Sequence, residues 1–121
     1  LEELHPTVFE IFYPKGMARS LAVDLGTGWA LLEAPVSSEV GEAMAAALEK
    51  EKPGHPILYA AASHHHPHYI AGLRPFVQRG AAVVCPTGVA EYVEHILTRP
   101  RTVRPDALAR SPRPVTIIGV D

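Results

Sequence analysis

The order of apolar and polar positions divides the chain into short strands first and alternating helices and strands later. Val8, Phe9, Ile11 and Phe12 make Thr7 to Tyr13 β-branched and aromatic, the signature of a strand, and Pro14-Lys15-Gly16 ends it as a turn. Ser20 to Leu25 and Trp29 to Glu33 read as two more strands joined by the hairpin signal Gly26-Thr27-Gly28. Asp24 beside that turn is expected to cap it rather than to act chemically. Ser37 or Ser38 then caps a helix to about Lys52, with Val40, Met44, Ala47 and Leu48 as its apolar face and Pro53-Gly54 as its stop.

Ile57 to Ala62 is an apolar run the length of one buried strand. A second helix is expected over Tyr69 to Arg79, where Ile70, Leu73, Phe76 and Val77 recur at helical spacing before Gly80, although Pro75 can break it into two pieces. Ala81 to Cys85 is another short strand. Thr87 is expected to cap a third helix through Ile96, with Val89, Tyr92, Val93 and Ile96 facing inward. Thr98 to Pro114 forms a Pro/Arg-rich connection with room for one helical turn at Asp106 to Ala109, and Val115 to Val120 is a last strand. This order, a meander followed by alternating helices and strands, implies one domain over residues 1–121. Its class is an α/β, more broadly α+β, layered fold in which helices cover one face of a mixed sheet. The opposite face must then be buried by a further layer.

Composition narrows the partners. The 121 residues are 47% hydrophobic and 20% charged, with a formal net charge of -2, as expected of a soluble domain. A near-neutral balance with no basic stripe argues against nucleic acid, because the prolines between Arg99, Arg101, Arg104, Arg110 and Arg113 mark a solvated connection. No run approaches the ~20 apolar residues that span a bilayer, so no membrane partner is expected. The lone Cys85 closes an apolar strand and reads as a small buried hydrophobe rather than a nucleophile. The chain opens on Leu1 rather than Met, which leaves cytoplasmic and exported locations both open.

The candidate chemistry lies after Ala62. Four of the seven histidines, His64, His65, His66 and His68, fall within five positions between a buried strand and a helix. Crowded imidazoles lose solvation if buried and repel one another if protonated. A divalent metal removes both problems by taking neutral ring nitrogens as ligands. In an extended backbone His64 and His66 share a side, His65 points away, and His68 can rejoin the first two. An expression tag is disfavoured because the run is internal and flanked by patterned sequence. The bland alternative is a polar loop tip.

At this turn the sequence resembles the metallo-β-lactamase-like hydrolase superfamily, whose hallmark is T-H-x-H-x-D-H between a strand and a helix that starts near G-G-L. Here the residues read Ser63-His64-His65-His66-Pro67-His68-Tyr69 and then Ile70-Ala71-Gly72-Leu73. Leu31-Leu32-Glu33-Ala34-Pro35 resembles the family's strand ending in an acidic residue, and Gly80-Ala81-Ala82-Val83-Val84 resembles its next strand. The likeness covers most of the chain but only the first half of the usual αββα sandwich. It implies that His64 and His66 are the first two ligands of the family's first zinc site. It also places His68 where the hallmark Asp stands and Tyr69 where its last His stands. Histidine replaces an acceptor carboxylate poorly, and a phenol with a pKa of about 10 is a reluctant ligand. The remaining family ligands belong to the second half.

His64, His66 and His68 are therefore the candidate metal ligands, with zinc the metal implied and iron or another divalent ion the alternative. Such a triad would activate water for hydrolysis. The resemblance implies a metal-dependent hydrolase with an incomplete or altered site; the competing reading is a non-catalytic dimerising or metal-binding module that keeps the fold. A histidine-rich metal store has only the cluster behind it. Two copies of one half could rebuild the sandwich, so a homodimer through the exposed sheet face is expected, or else a fragment lacking its other half.

Overall fold

The computed structural model describes residues 1–13, 18–63 and 65–121, apart from the side chains of Pro67 and His68. The expected turn at Pro14-Lys15-Gly16 lies outside the described residues. Among the described residues, seven strands form one sheet in sequence order. These are β1 (Glu2–His5), β2 (Val8–Tyr13), β3 (Ala18–Asp24), β4 (Trp29–Leu32), β5 (Ile57–Ala61), β6 (Ala82–Pro86) and β7 (Ile117–Val120). β1 to β4 pair antiparallel, and β4 to β7 pair parallel.

Parallel neighbours need crossovers, and each is helical. α1 (Ser38–Glu51) joins β4 to β5, and α2 (Pro67–Ile70) with α3 (Arg74–Gln78) joins β5 to β6. A 3₁₀ turn (Thr87–Val89), α4 (Ala90–Thr98) and α5 (Ala107–Arg110) join β6 to β7. Because β4 to β7 advance in one direction, right-handed crossovers all land on the same face. That face supplies the core. Ile11, Ala22, Leu31, Ala60 and Val83 of the sheet are buried with Met44, Leu48, Phe76, Val77 and Val93 of the helices.

The other face is apolar and bare. Phe12, Leu21, Leu32, Tyr59, Ile118 and Val120 are each 38–49% exposed. Register makes them one surface: Leu21 pairs with Leu32, Leu32 with Ala61, Ala61 with Val84, and Val84 with Ile118. The ion pair Arg19 Nη1–Glu10 Oε1 (3.0 Å) lies toward one side of it.

Several expectations need correction. β1 went unread because all four of its residues are exposed, so burial imposes no alternation on them. The second helix is two pieces, α2 and α3, with Pro75 at the start of α3, where its missing N–H costs nothing. Ile70, Leu73, Phe76 and Val77 are nevertheless all buried. Thr87 caps no α-helix: it begins the 3₁₀ turn, and α4 starts at Ala90 without a side-chain cap. Tyr92 points outward, 47% exposed, and Leu97 takes the inward place one turn after Val93. On α1, Ala45 is buried where Ala47 is only half-buried.

The Pro/Arg-rich connection is pinned at one point. Arg74, 5% exposed, donates from Nε and Nη2 to the two Asp106 oxygens at 2.6 and 3.0 Å, and from Nη1 to the Leu97 carbonyl at 2.8 Å. Asp106 also caps α5, accepting the Ala109 N–H at 2.9 Å. The Arg74 guanidinium, helped by that N–H, holds the Asp106 carboxyl at about 2, against the upward push of burial.

A carboxyl depressed in the folded state stabilises the fold above its unfolded value of ~3.9, and that contribution disappears as pH falls toward the folded value. Stability is therefore expected to drop between pH about 4 and 2, with Asp24 titrating in the same window. Asp106→Ala should cost about 3 kcal/mol at neutral pH by urea unfolding, the low end for orphaning one partner of a buried pair. It should also flatten the acid-side loss. Wild-type stability in the variant would refute the pin.

Candidate functional site at the histidine turn

β4 and β5 run parallel, so their carboxyl ends open at the same sheet edge, where open α/β sheets place their ligands. β4 leaves through residues 33–37 in a strained path. Glu33 has φ 70° and Val36 φ 72°, both in the left-handed region that non-glycine residues avoid. Neighbours hold both. The Glu33 N–H donates to Ala61 O (2.8 Å), its carbonyl accepts from the buried Ser20 hydroxyl (2.7 Å), and Ser37 N–H donates to Pro35 O (3.0 Å), closing a three-residue turn around Val36.

The segment after the histidines docks onto this exit. Ala34 N–H donates to Tyr69 O (3.0 Å), and Gly72 N–H donates to Ala34 O (2.7 Å). Above it, the Glu33 carboxylate accepts the Ser63 N–H at 3.1 Å through Oε1. Its Oε2 is buried and has no partner among the described residues. A carboxylate thus ties the first residue of the turn to the end of the neighbouring strand.

His65 and His66 are both exposed. The His65 ring meets Tyr92 edge-on, centroids 5.8 Å apart, whereas the His66 ring lies 6.3 Å from Tyr69. The His66 carbonyl accepts the Tyr69 N–H (2.9 Å), which closes the first turn of α2. Of the candidate ligands, His64 and the side chain of His68 lie outside the described residues, so the triad is only represented by His66. Among the described residues no group of three or more His, Cys, Asp or Glu side chains converges. Sequence reasoning left Tyr92 as a core residue, and nothing in its spacing signals that it faces a histidine.

A second polar cluster sits at the opposite end of the strands. Asp24 Oδ1 accepts from Gly26 N–H and pairs with His55 Nε2, both at 2.8 Å, and Oδ2 meets Lys52 Nζ at 2.9 Å. Lys52 first, then the Gly26 N–H and His55, holds its carboxyl at about 2. The His55 ring packs edge-on against buried Trp29, centroids 5.4 Å apart. Asp24 is thus a turn cap, as expected, that also ties the end of α1 to β3. Cys85 is 1% exposed and burial pushes its thiol up, which fits a buried hydrophobe.

No protein-family model matches the chain, and no curated protein matches it either. Among solved structures it is similar to a stereoselective inverting sec-alkylsulfatase from a Pseudomonas species, with a TM-score of 0.60 and 24% identity. The match covers 78% of this chain but 16% of that enzyme, so the chain spans a small part of its neighbour's length. The likeness establishes the fold: a mixed seven-stranded sheet with helices, agreeing with a half metallo-β-lactamase-like domain.

If Glu33 Oε1 anchors the histidine turn, Glu33→Ala should speed amide exchange at Ser63, by tenfold or more for a bond worth about 1.4 kcal/mol or more. Glu33→Gln, which keeps a carbonyl acceptor, should leave exchange near wild type. Equal exchange in all three proteins would remove the anchor.

Proposed function

We propose that this chain carries the metal-binding segment of a metal-dependent hydrolase in altered form, and that its bare sheet face is covered by a second copy of the chain. The observation that carries the reading is the placement of the histidine run at the carboxyl end of parallel β5, tied to Glu33 of β4. The residues present suit a metal: imidazoles are good zinc ligands, and the orphaned Glu33 Oε2 is an acceptor of the kind that orients a ligating histidine. His64, His66 and His68 would hold the ion. When bound, a divalent metal supplies Lewis-acid activation of water for hydrolysis. Glu33 would fix the turn and Tyr69 would wall one side of His66. The first substrates to screen are sulfate esters, because the structural neighbour is an alkylsulfatase, followed by other esters, amides, thioesters and phosphoesters.

The second copy is favoured by the face itself. A twofold interface presents each residue to its own surface, and here that surface is largely apolar, its one ion pair Arg19–Glu10 being internally neutral, so self-pairing sets few like charges together. A non-catalytic dimerising or metal-binding module remains the second reading, favoured by His68 and Tyr69 at the positions of the family's Asp and His.

Elemental analysis of tag-free protein, paired with its mass in solution, should find about one zinc or iron per chain in a dimer, the stoichiometry of a single site per subunit. His66→Ala should release the metal without changing the mass. Metal-free protein would overturn the metal site, and a monomer would overturn the pairing. The double exchange His68→Asp with Tyr69→His separates enzyme from module. Metal-dependent hydrolysis gained by the exchange supports a decayed enzyme, and none gained supports the module.

A further inference from the structure

A cavity of about 690 Å³ lies on the outer side of the helix layer, between the start of α1, Pro75 of α3, and the connection around α5. That volume is within the range of small-molecule sites. Its apolar lining includes Val36, Pro75 and Leu108, and Arg101, Arg104 and Arg110 bring their charges to it. Among the described residues none of these three arginines makes a hydrogen bond or ion pair.

The acids at the cavity do not neutralise them. Glu42 is engaged by Arg79 at 2.6 and 2.9 Å, and Asp106 is engaged by Arg74. Glu39 meets Arg104 and Arg101, and Asp106 also feels Arg101, but Glu42 and Asp106 are already bonded to arginines of their own, which leaves an excess of positive charge. Its carboxyl is lowered mainly by its own backbone N–H and the Ser37 hydroxyl, with Arg104 and Arg101 adding to the effect. The first turn of α1 contributes little more, because the Ser37 side chain and carbonyl already accept from Val40 and Gly41.

We propose that this cavity binds a small organic molecule bearing a phosphate or sulfate ester, with the arginines on the oxyanion and the apolar lining under the organic group. A guanidinium fork matches two oxygens of a tetrahedral oxyanion, and three on one wall supply more charge than a carboxylate needs. Pro100 and Pro105 limit the freedom of the segment that carries Arg101 and Arg104, which reduces the ordering entropy of binding. The site is separate from the histidine turn and does not require a metal there.

The test is calorimetric titration of phenyl phosphate, phenyl sulfate, phenol and inorganic phosphate into the chain, before and after chelation. Saturable binding of at least one ester is expected, tighter than phenol or inorganic phosphate and unchanged by chelation. The two esters identify which oxyanion is preferred. Arg101→Gln with Arg104→Gln should weaken it tenfold or more, since two charged hydrogen-bond donors to the oxyanion are lost. Both arginines are exposed, so the double variant should keep the wild-type melting profile. Arg19→Gln, on the opposite sheet face, should bind as wild type. No saturable binding, equal loss in the Arg19 variant, or inorganic phosphate binding as tightly as the esters would overturn the proposal.

Discussion

The molecule depends on a place where backbone touches backbone. A Cβ added to Gly72 would stand 3.0 Å from the carbonyl oxygens of Ala34, Pro35 and Ser37, and one added to Gly41 would collide with the Gly72 carbonyl. Only glycine admits this approach. The contact locks three things together: the exit of β4, the first turns of α1, and the segment after the histidines. It also accounts for the strained backbone. Residues held at φ 70° and 72° cost of order 1–3 kcal/mol each and persist only where surroundings over-determine them. Here Ser20, Ala61 and the docked Gly72 do so. The histidine turn therefore hangs from a rigid junction although the His65 and His66 side chains face solvent.

One-sidedness is the second consequence of the topology. The parallel strands β4 to β7, added in sequence order with crossovers of the usual right hand, gather the described helices on one face. The helix layer is then tied across by charge. Arg79 of the α3 end bonds Glu49 through Nε at 2.6 Å and Glu42 through Nη2 at 2.6 Å, while Arg74 binds the far connection. Arg79 is accordingly held more basic than usual, and the Glu42 carboxyl lower. On the other face the described residues show one ion pair, Arg19–Glu10, beside large apolar side chains of six residues that stand in solvent. The helices and their ion pairs thus finish one side of the sheet, while the other side keeps its apolar residues in solvent.

What was legible in the sequence follows the same division. Strands with a buried face announced themselves by alternation, as at Phe9 and Ile11, and α1 by its cap and apolar spacing. β1 carried no signal because nothing buries it. Pro75 flagged the break between α2 and α3, but Thr87 misled, since a capping residue type does not specify whether the next turn is 3₁₀ or α. The histidine turn was legible as a candidate for chemistry because residue types alone mark it. Its supports were legible only in part. Glu33 stood out through family likeness, whereas Tyr92 against His65 and Asp106 against Arg74 are long-range meetings that no local pattern encodes.

Set against the motif it resembles, the turn carries less negative charge: His68 stands in the sequence where that motif has a carboxylate, and Tyr69 restores none at neutral pH. Glu33 is then the carboxylate that is bonded to the turn itself, through the Ser63 N–H. Its second oxygen is buried without a donor among the described residues, an arrangement that costs free energy unless a proton or a cation satisfies it. A histidine that gives one nitrogen to a metal has its other N–H to donate, and such a donor is what this oxygen lacks. The strain at Glu33 belongs to the backbone junction described above, and from that junction the carboxylate reaches the Ser63 N–H at the start of the histidine turn.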